Sequence, residues 1–124
     1  MSREILFRAW HKKRKKYYEV LHLHINELEG NWATCKGYNI IEQKDIHIQV
    51  QPEECIIEQY TGLKDKNGNN IFEGDKLSLD GDCVGHIIYD DGCFHLLVEG
   101  NQQGRNPILQ ERTKRFKITG NIHQ

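Results

Sequence analysis

Four side chains in the second half of the chain are of the right type to hold zinc. Cys83, His86, Cys93 and His95 together offer two thiolates and two imidazoles, borderline-soft donors suited to that ion. Cys93 and His95 share one face of a strand, because alternate residues point the same way. Cys83 and His86 are three apart, so a regular strand turns them to opposite faces. The set also lacks the paired C-x2–4-C and H-x3–5-H spacing of zinc fingers. Small buried thiols and half-exposed imidazoles are the better account of these residues. His22 and His24 share a face too, but two ligands alone make a poor site. No metal and no cofactor is expected.

A second group crowds acceptor side chains into YTGLKDKNGNNIFEGDKL, residues 60 to 77. Asp65, Asn67 and Asn69 fall at spacing two, as in an EF-hand calcium loop. That loop needs glycine at its sixth position and a bidentate glutamate at its twelfth. Counted from Asp65, those positions hold Asn70 and Lys76. Placing Gly68 sixth makes Leu63 first and Gly74 twelfth. Neither frame binds calcium. The stretch reads as turns instead. Asn67-Gly68 is a signal for a two-residue type I′ hairpin, and Asp65 can accept a bond from the backbone two residues on. Gly74 supplies a positive φ in a second bend between Glu73 and Asp75.

Acid–base catalysis would need Glu73 or Asp75 placed beside a histidine in a pocket. No G-x-S-x-G, P-loop, H-E-x-x-H or dinucleotide fingerprint is present. A Cys–His pair stays open, since such partners meet in space rather than in sequence. The chain is expected to be non-enzymatic, with no catalytic residues.

The basic run Lys12, Lys13, Arg14, Lys15 and Lys16 is the remaining constellation. At a hairpin tip beside Trp10, Tyr17 and Tyr18 it could grip phosphates while the rings stack on bases. Arg112, Lys114, Arg115 and Lys117 would extend that surface if they lie nearby. A charged hairpin tip is also what a soluble β protein turns to water. Seventeen Lys and Arg stand against eighteen Asp and Glu, a formal charge of −1, so acidic surface elsewhere repels a polyanion.

These residues must be positioned by strands. Ile5, Phe7 and Ala9 alternate with Glu4, Leu6 and Arg8, and YYEVLHLHI resumes the period of two after HKKRKK. The two runs predict an N-terminal hairpin. IHIQV, CIIEQY, KLSL, HIIYD, FHLLV and RFKITGNI supply further short runs, divided by NG at 67–68 and DG at 80–81 and 91–92. Pro52 ends IHIQV because it lacks a donor for the ladder. PEECIIEQY and NPILQERTK are minority helix candidates, and GNQQGRNP reads as a mobile loop. At 124 residues one core burying roughly two-thirds of the unfolded surface is expected. Apolar runs fall far short of the roughly 20 residues that span a bilayer, and the N-terminus does not read as a secretory signal. The four cysteines are expected as reduced thiols in a cytoplasm.

REILFRAW, QYTGLKDKNGNNIFEGD, YDDGCFHLL and ITGNI together resemble the YopX family, small proteins encoded by bacteriophages and prophages. The resemblance covers essentially the whole chain. It implies an all-β domain with a small barrel-like core, and carries over no established activity or catalytic residue. Similar proteins usually continue past GNIHQ with a short acidic, leucine-containing tail. IFEGDKLSL followed by Gly81, Gly85 and HIIYDDG is also similar to the first strands of SH3-like barrels of the KOW type.

The expected fold is therefore all-β, a small SH3-like, partly open barrel with an N-terminal hairpin. One domain is expected over 1–124, with the hairpin and strands in 1–52 and the barrel-like portion in 53–124. The expected function is a non-enzymatic protein-interaction module in a bacterial cytoplasm. The partner is an unknown bacterial or phage protein, or a second copy joined through edge strands. HKKRKK and ITGNI are the candidate contacts. Nucleic-acid binding through the basic hairpin is the alternative, and no membrane role is expected.

Overall fold

The computed structural model describes residues 5–24, 28, 32–51, 53–90, 92–98, 105–108 and 113–123. Among the described residues every regular element is a strand, and all pairings are antiparallel. The all-β expectation holds. The chain divides into two compact units, Leu6–Gln59 and Tyr60–Gln124 with Met1–Ile5.

In the first unit β1 (Phe7–His11), β2 (Lys16–His24), β3 (Trp32–Asn39) and β4 (Lys44–Val50) form a meander. The first half of β5 (Cys55–Lys64) returns to pair with β1, giving the order β4-β3-β2-β1-β5. The predicted N-terminal hairpin is therefore present, and CIIEQY is a strand rather than a helix. β3 is an element the alternation did not reveal. Its inward side chains, Ala33 and Cys35, are fully buried but small. They pack with Ala9, Tyr18, Val50 and Cys55. Gly37 faces β4 so closely that an added Cβ would lie 2.6 Å from Ile48 Cγ1. Glu58 is 3% exposed and is compensated by Arg8, whose Nε lies 2.9 Å from its Oε1.

In the second unit the latter half of β5 pairs with β6 (Asn70–Phe72). β7 (Asp75–Leu79), β8 (Asp82–Asp90), β9 (Cys93–Val98), β10 (Arg105–Pro107) and β11 (Lys117–Asn121) form a sheet in the order β10-β9-β8-β7-β11. The order does not close on itself, so the sheet is open. Its buried face carries Leu77, Ile87 and Leu96, packed with Ile71 and flanked by Phe94, Phe116 and Ile118.

Two local readings need correction. The Asn67-Gly68 turn is not type I′, because only Gly68 (φ 81) takes the left-handed conformation. Gly68 N–H donates to Asp65 O at 3.0 Å, and Asp65 N–H donates to Asn69 O at 2.9 Å. That is a three-residue loop, a type I turn closed by a left-handed glycine. The type I′ turn lies at Asp80-Gly81 (φ 52 and 89) between β7 and β8. The stretch read as a mobile loop contributes β10, which pairs with His95–Leu97. Pro107 is tolerated there because β10 is the last strand in the order. Residues 100–104 of that stretch, and 109–112 of the second helix candidate, lie outside the described residues.

Candidate interaction surface

The basic run occupies the turn between β1 and β2, and a buried histidine anchors it. His11 is 5% exposed and stands opposite Lys16 in the ladder. Its carbonyl accepts from Lys15 N–H at 2.8 Å, and its ring Nδ1 accepts from Arg14 N–H at 3.1 Å. A neutral ring that accepts at Nδ1 carries its proton on Nε2. That nitrogen lies 3.2 Å from Glu54 Oε2, while Lys12 N–H donates to Glu54 O at 2.9 Å. The turn is thus pinned to the segment that leads into β5. Lys15 takes a left-handed conformation (φ 57).

Lys12, Lys13, Arg14, Lys15 and Lys16 are all exposed, as expected. The neighbouring rings are not free for stacking. Trp10 and Tyr18 are 6% and 7% exposed. Tyr18 OH accepts from Arg14 Nη1 at 2.9 Å, and Lys16 Nζ lies 5.0 Å from the Tyr18 ring centroid. The Tyr17 ring has the Arg8 guanidinium 3.9 Å over its centroid and meets Trp10 edge-on at 4.9 Å. Tyr18 holds the cationic tip from within the fold through Arg14 and Lys16.

Lys114, Arg115 and Lys117 are exposed in the second unit, around the turn that enters β11. Phe116 N–H donates to Thr113 O at 3.1 Å there, and Lys66 N–H donates to Phe116 O at 2.9 Å. Arg112 lies outside the described residues.

Cys83, His86, Cys93 and His95 do not come together in one site. Cys93 stands opposite Asp90 on β8, seven residues along from Cys83, a separation of about 23 Å at the strand rise. Among the described residues no three His, Cys, Asp or Glu side chains group as metal ligands. Cys93 and His95 do meet, with Sγ and Nε2 3.1 Å apart. Cys35 and Cys55 are the buried thiols, whereas Cys83 and Cys93 are exposed. This corrects the reading of the latter pair as core thiols.

Asp65 answers the question posed by its loop. It is 4% exposed, and both carboxylate oxygens are occupied by backbone donors. Oδ1 accepts from Asn67 N–H and Asn69 N–H, each at 2.9 Å. Oδ2 accepts from Ile118 N–H on β11 at 3.1 Å. Burial works against the charged form, but the amides of Ile118, Asn69 and Asn67 with the Asn69 side chain outweigh it, so the pKa lies below the ordinary value. The carboxylate staples a hairpin loop to a distant strand. Asp75 acts similarly at the next bend, its Oδ2 accepting from Phe72 N–H at 2.8 Å. Asp65 and Asp75 are structural.

The fold and these surfaces define a small all-β protein of antiparallel sheets whose patterned acidic residues tie turns together. The chain belongs to the YopX family: the family model described as "YopX protein" matches residues 6–124. It is also similar to the crystal structure of protein EF1440 from Enterococcus faecalis. The TM-score is 0.65 at 26% identity, covering 98% of this chain and 95% of that one. No curated protein matches the chain.

Proposed function

We propose that the protein is a non-enzymatic interaction module that binds another protein through the β1–β2 tip. The observation that supports this reading is the construction of the tip. Five exposed cations sit on a turn held by His11, Glu54 and Tyr18, so little ordering entropy is lost on contact. Such a surface suits an acidic patch on a partner and steers its approach. The proposed setting is a bacterial cytoplasm, and the phage or prophage origin rests on the motif resemblance. Second-copy pairing has an edge in β4, last in its strand order, whereas on β11 the Ile118 N–H is already taken by Asp65.

Nucleic-acid binding is the rival reading. It has the phosphate-binding charges but lacks free rings, because Trp10 and Tyr18 are buried. Base–aromatic stacking contributes about 1–3 kcal/mol per base where rings are free. A labelled single-stranded oligonucleotide titrated at about 0.05 M and 0.2 M salt tests the rival. The module reading expects only weak binding, with no saturable site lost in Lys13→Glu/Arg14→Glu/Lys15→Glu. Tight, salt-dependent binding abolished by that variant would favour nucleic acid instead.

A further inference from the structure

Two of the four cysteines are exposed, and their surroundings differ. Cys93 Sγ lies 3.1 Å from His95 Nε2. The same nitrogen lies 3.0 Å from the carbonyl oxygen of Asp90. A carbonyl can only accept, so the nitrogen facing it carries the ring proton. A neutral imidazole has one such proton, which leaves Nδ1 bare, and Nδ1 is buried with no hydrogen-bond partner among the described residues. Nε2–H is therefore a donor shared between the Asp90 carbonyl and the Cys93 sulfur. The pairing follows from the strand geometry. Cys93 and His95 project from the same face of β9, the latter opposite Ile88, while Ile87 and Leu96 occupy the buried face.

We propose that Cys93 is a modification site, the thiol of this protein that forms mixed disulfides with low-molecular-weight disulfides, and that His95 is its positioning residue. The Cys93 thiol gives its proton to water, and the resulting thiolate meets the Nε2–H donor already in place. The thiolate attacks one sulfur of the reagent. A bond from Cys93 Sγ to that sulfur forms, the reagent's S–S bond breaks, and its other half leaves as a thiolate with the electron pair. Cys93 is oxidised and the reagent reduced. The remaining cysteines lack this arrangement. Cys83 is exposed and stands opposite Ser78 in the ladder rather than a histidine. Cys35 and Cys55 are buried, and burial pushes the Cys35 thiol up to about 11 and raises Cys55 as well.

The test treats the full chain with limiting 4,4′-dithiodipyridine, an uncharged reagent whose approach is not steered by the acidic residues beside Cys83 (Asp82) or opposite Cys93 (Asp90). Modification at each cysteine is read by peptide mass spectrometry. At pH 7 Cys93 is expected to react about tenfold faster than Cys83. A Cys93 that was merely more accessible would keep its lead when His95 is replaced. In His95→Leu the lead of Cys93 is expected to vanish, while Cys83 keeps its rate and Cys35 and Cys55 stay protected as reporters of the fold. Equal rates in the unaltered protein, or a lead that survives His95→Leu, would overturn the proposal.

Discussion

Asp65→Ala is expected to lower stability by about 2–4 kcal/mol, because one deletion strips the acceptor from three backbone amides. The amide of Ile118 matters most, since its donor to Asp65 ties β11 to a loop 53 residues earlier in the chain. Asp65→Asn separates shape from charge. Its side-chain oxygen can still serve Asn67 and Asn69, but its NH2 group must face the Ile118 N–H. The loss in Asp65→Asn should therefore fall between those of the unaltered protein and Asp65→Ala. Urea unfolding at neutral pH measures all three. A carboxylate whose folded pKa is depressed contributes stability that is present above its unfolded pKa and lost as pH falls through the folded one. The gap between the unaltered protein and Asp65→Asn should hence be full at neutral pH and close below about pH 4. A gap that is constant with pH would assign the loop's stability to shape alone.

Gly85→Ala is the second large effect. Gly85 is buried opposite Val98 in the β8–β9 pair. An added Cβ would collide with the Leu97 carbonyl and lie 2.8 Å from Leu97 C and 3.1 Å from Val98 Cα. The obstacle is backbone, so β9 must move away from β8, at an expected cost of about 3 kcal/mol. Gly37→Ala is the contrast. There the added carbon meets the side chain of Ile48, which can change rotamer, and the expected loss is about 1 kcal/mol. Equal losses in the two variants by urea unfolding would contradict this reading of the close approach.

How much was legible depended on whether a single local rule governed the outcome. In β2 a register shift between Val20 and His22 sets Tyr18 and Val20 against the core and leaves Leu21 exposed. A strand with large side chains on one face, such as Ile46, Ile48 and Val50 in β4, showed its period of two directly. β3 did not, because its buried face is built from Ala33 and Cys35, with Gly37 following. The NG signal located a turn but mistook its type, since Asp65 closes the loop through its own side chain. Nothing local announced the Asp65 bond to Ile118, which exists only once β11 is in place. The cationic tip was visible as a charge run. Its anchoring by His11 was not, although a histidine ending a strand just before five basic residues was the available signal. Alternation gives a strand one buried and one exposed face, so it could not foresee that Ala9, Trp10 and His11 are all buried. That burial removes Trp10 as a stacking ring.

The central claim, that the tip contacts a protein, is tested most directly by affinity capture from bacterial lysate with nuclease present. The tagged protein is compared with Lys13→Glu/Arg14→Glu/Lys15→Glu. The account predicts a defined protein partner that survives nuclease, is retained by the unaltered protein, and is lost from the charge-reversed variant. Partners that disappear with nuclease, or that bind both forms equally, would contradict it.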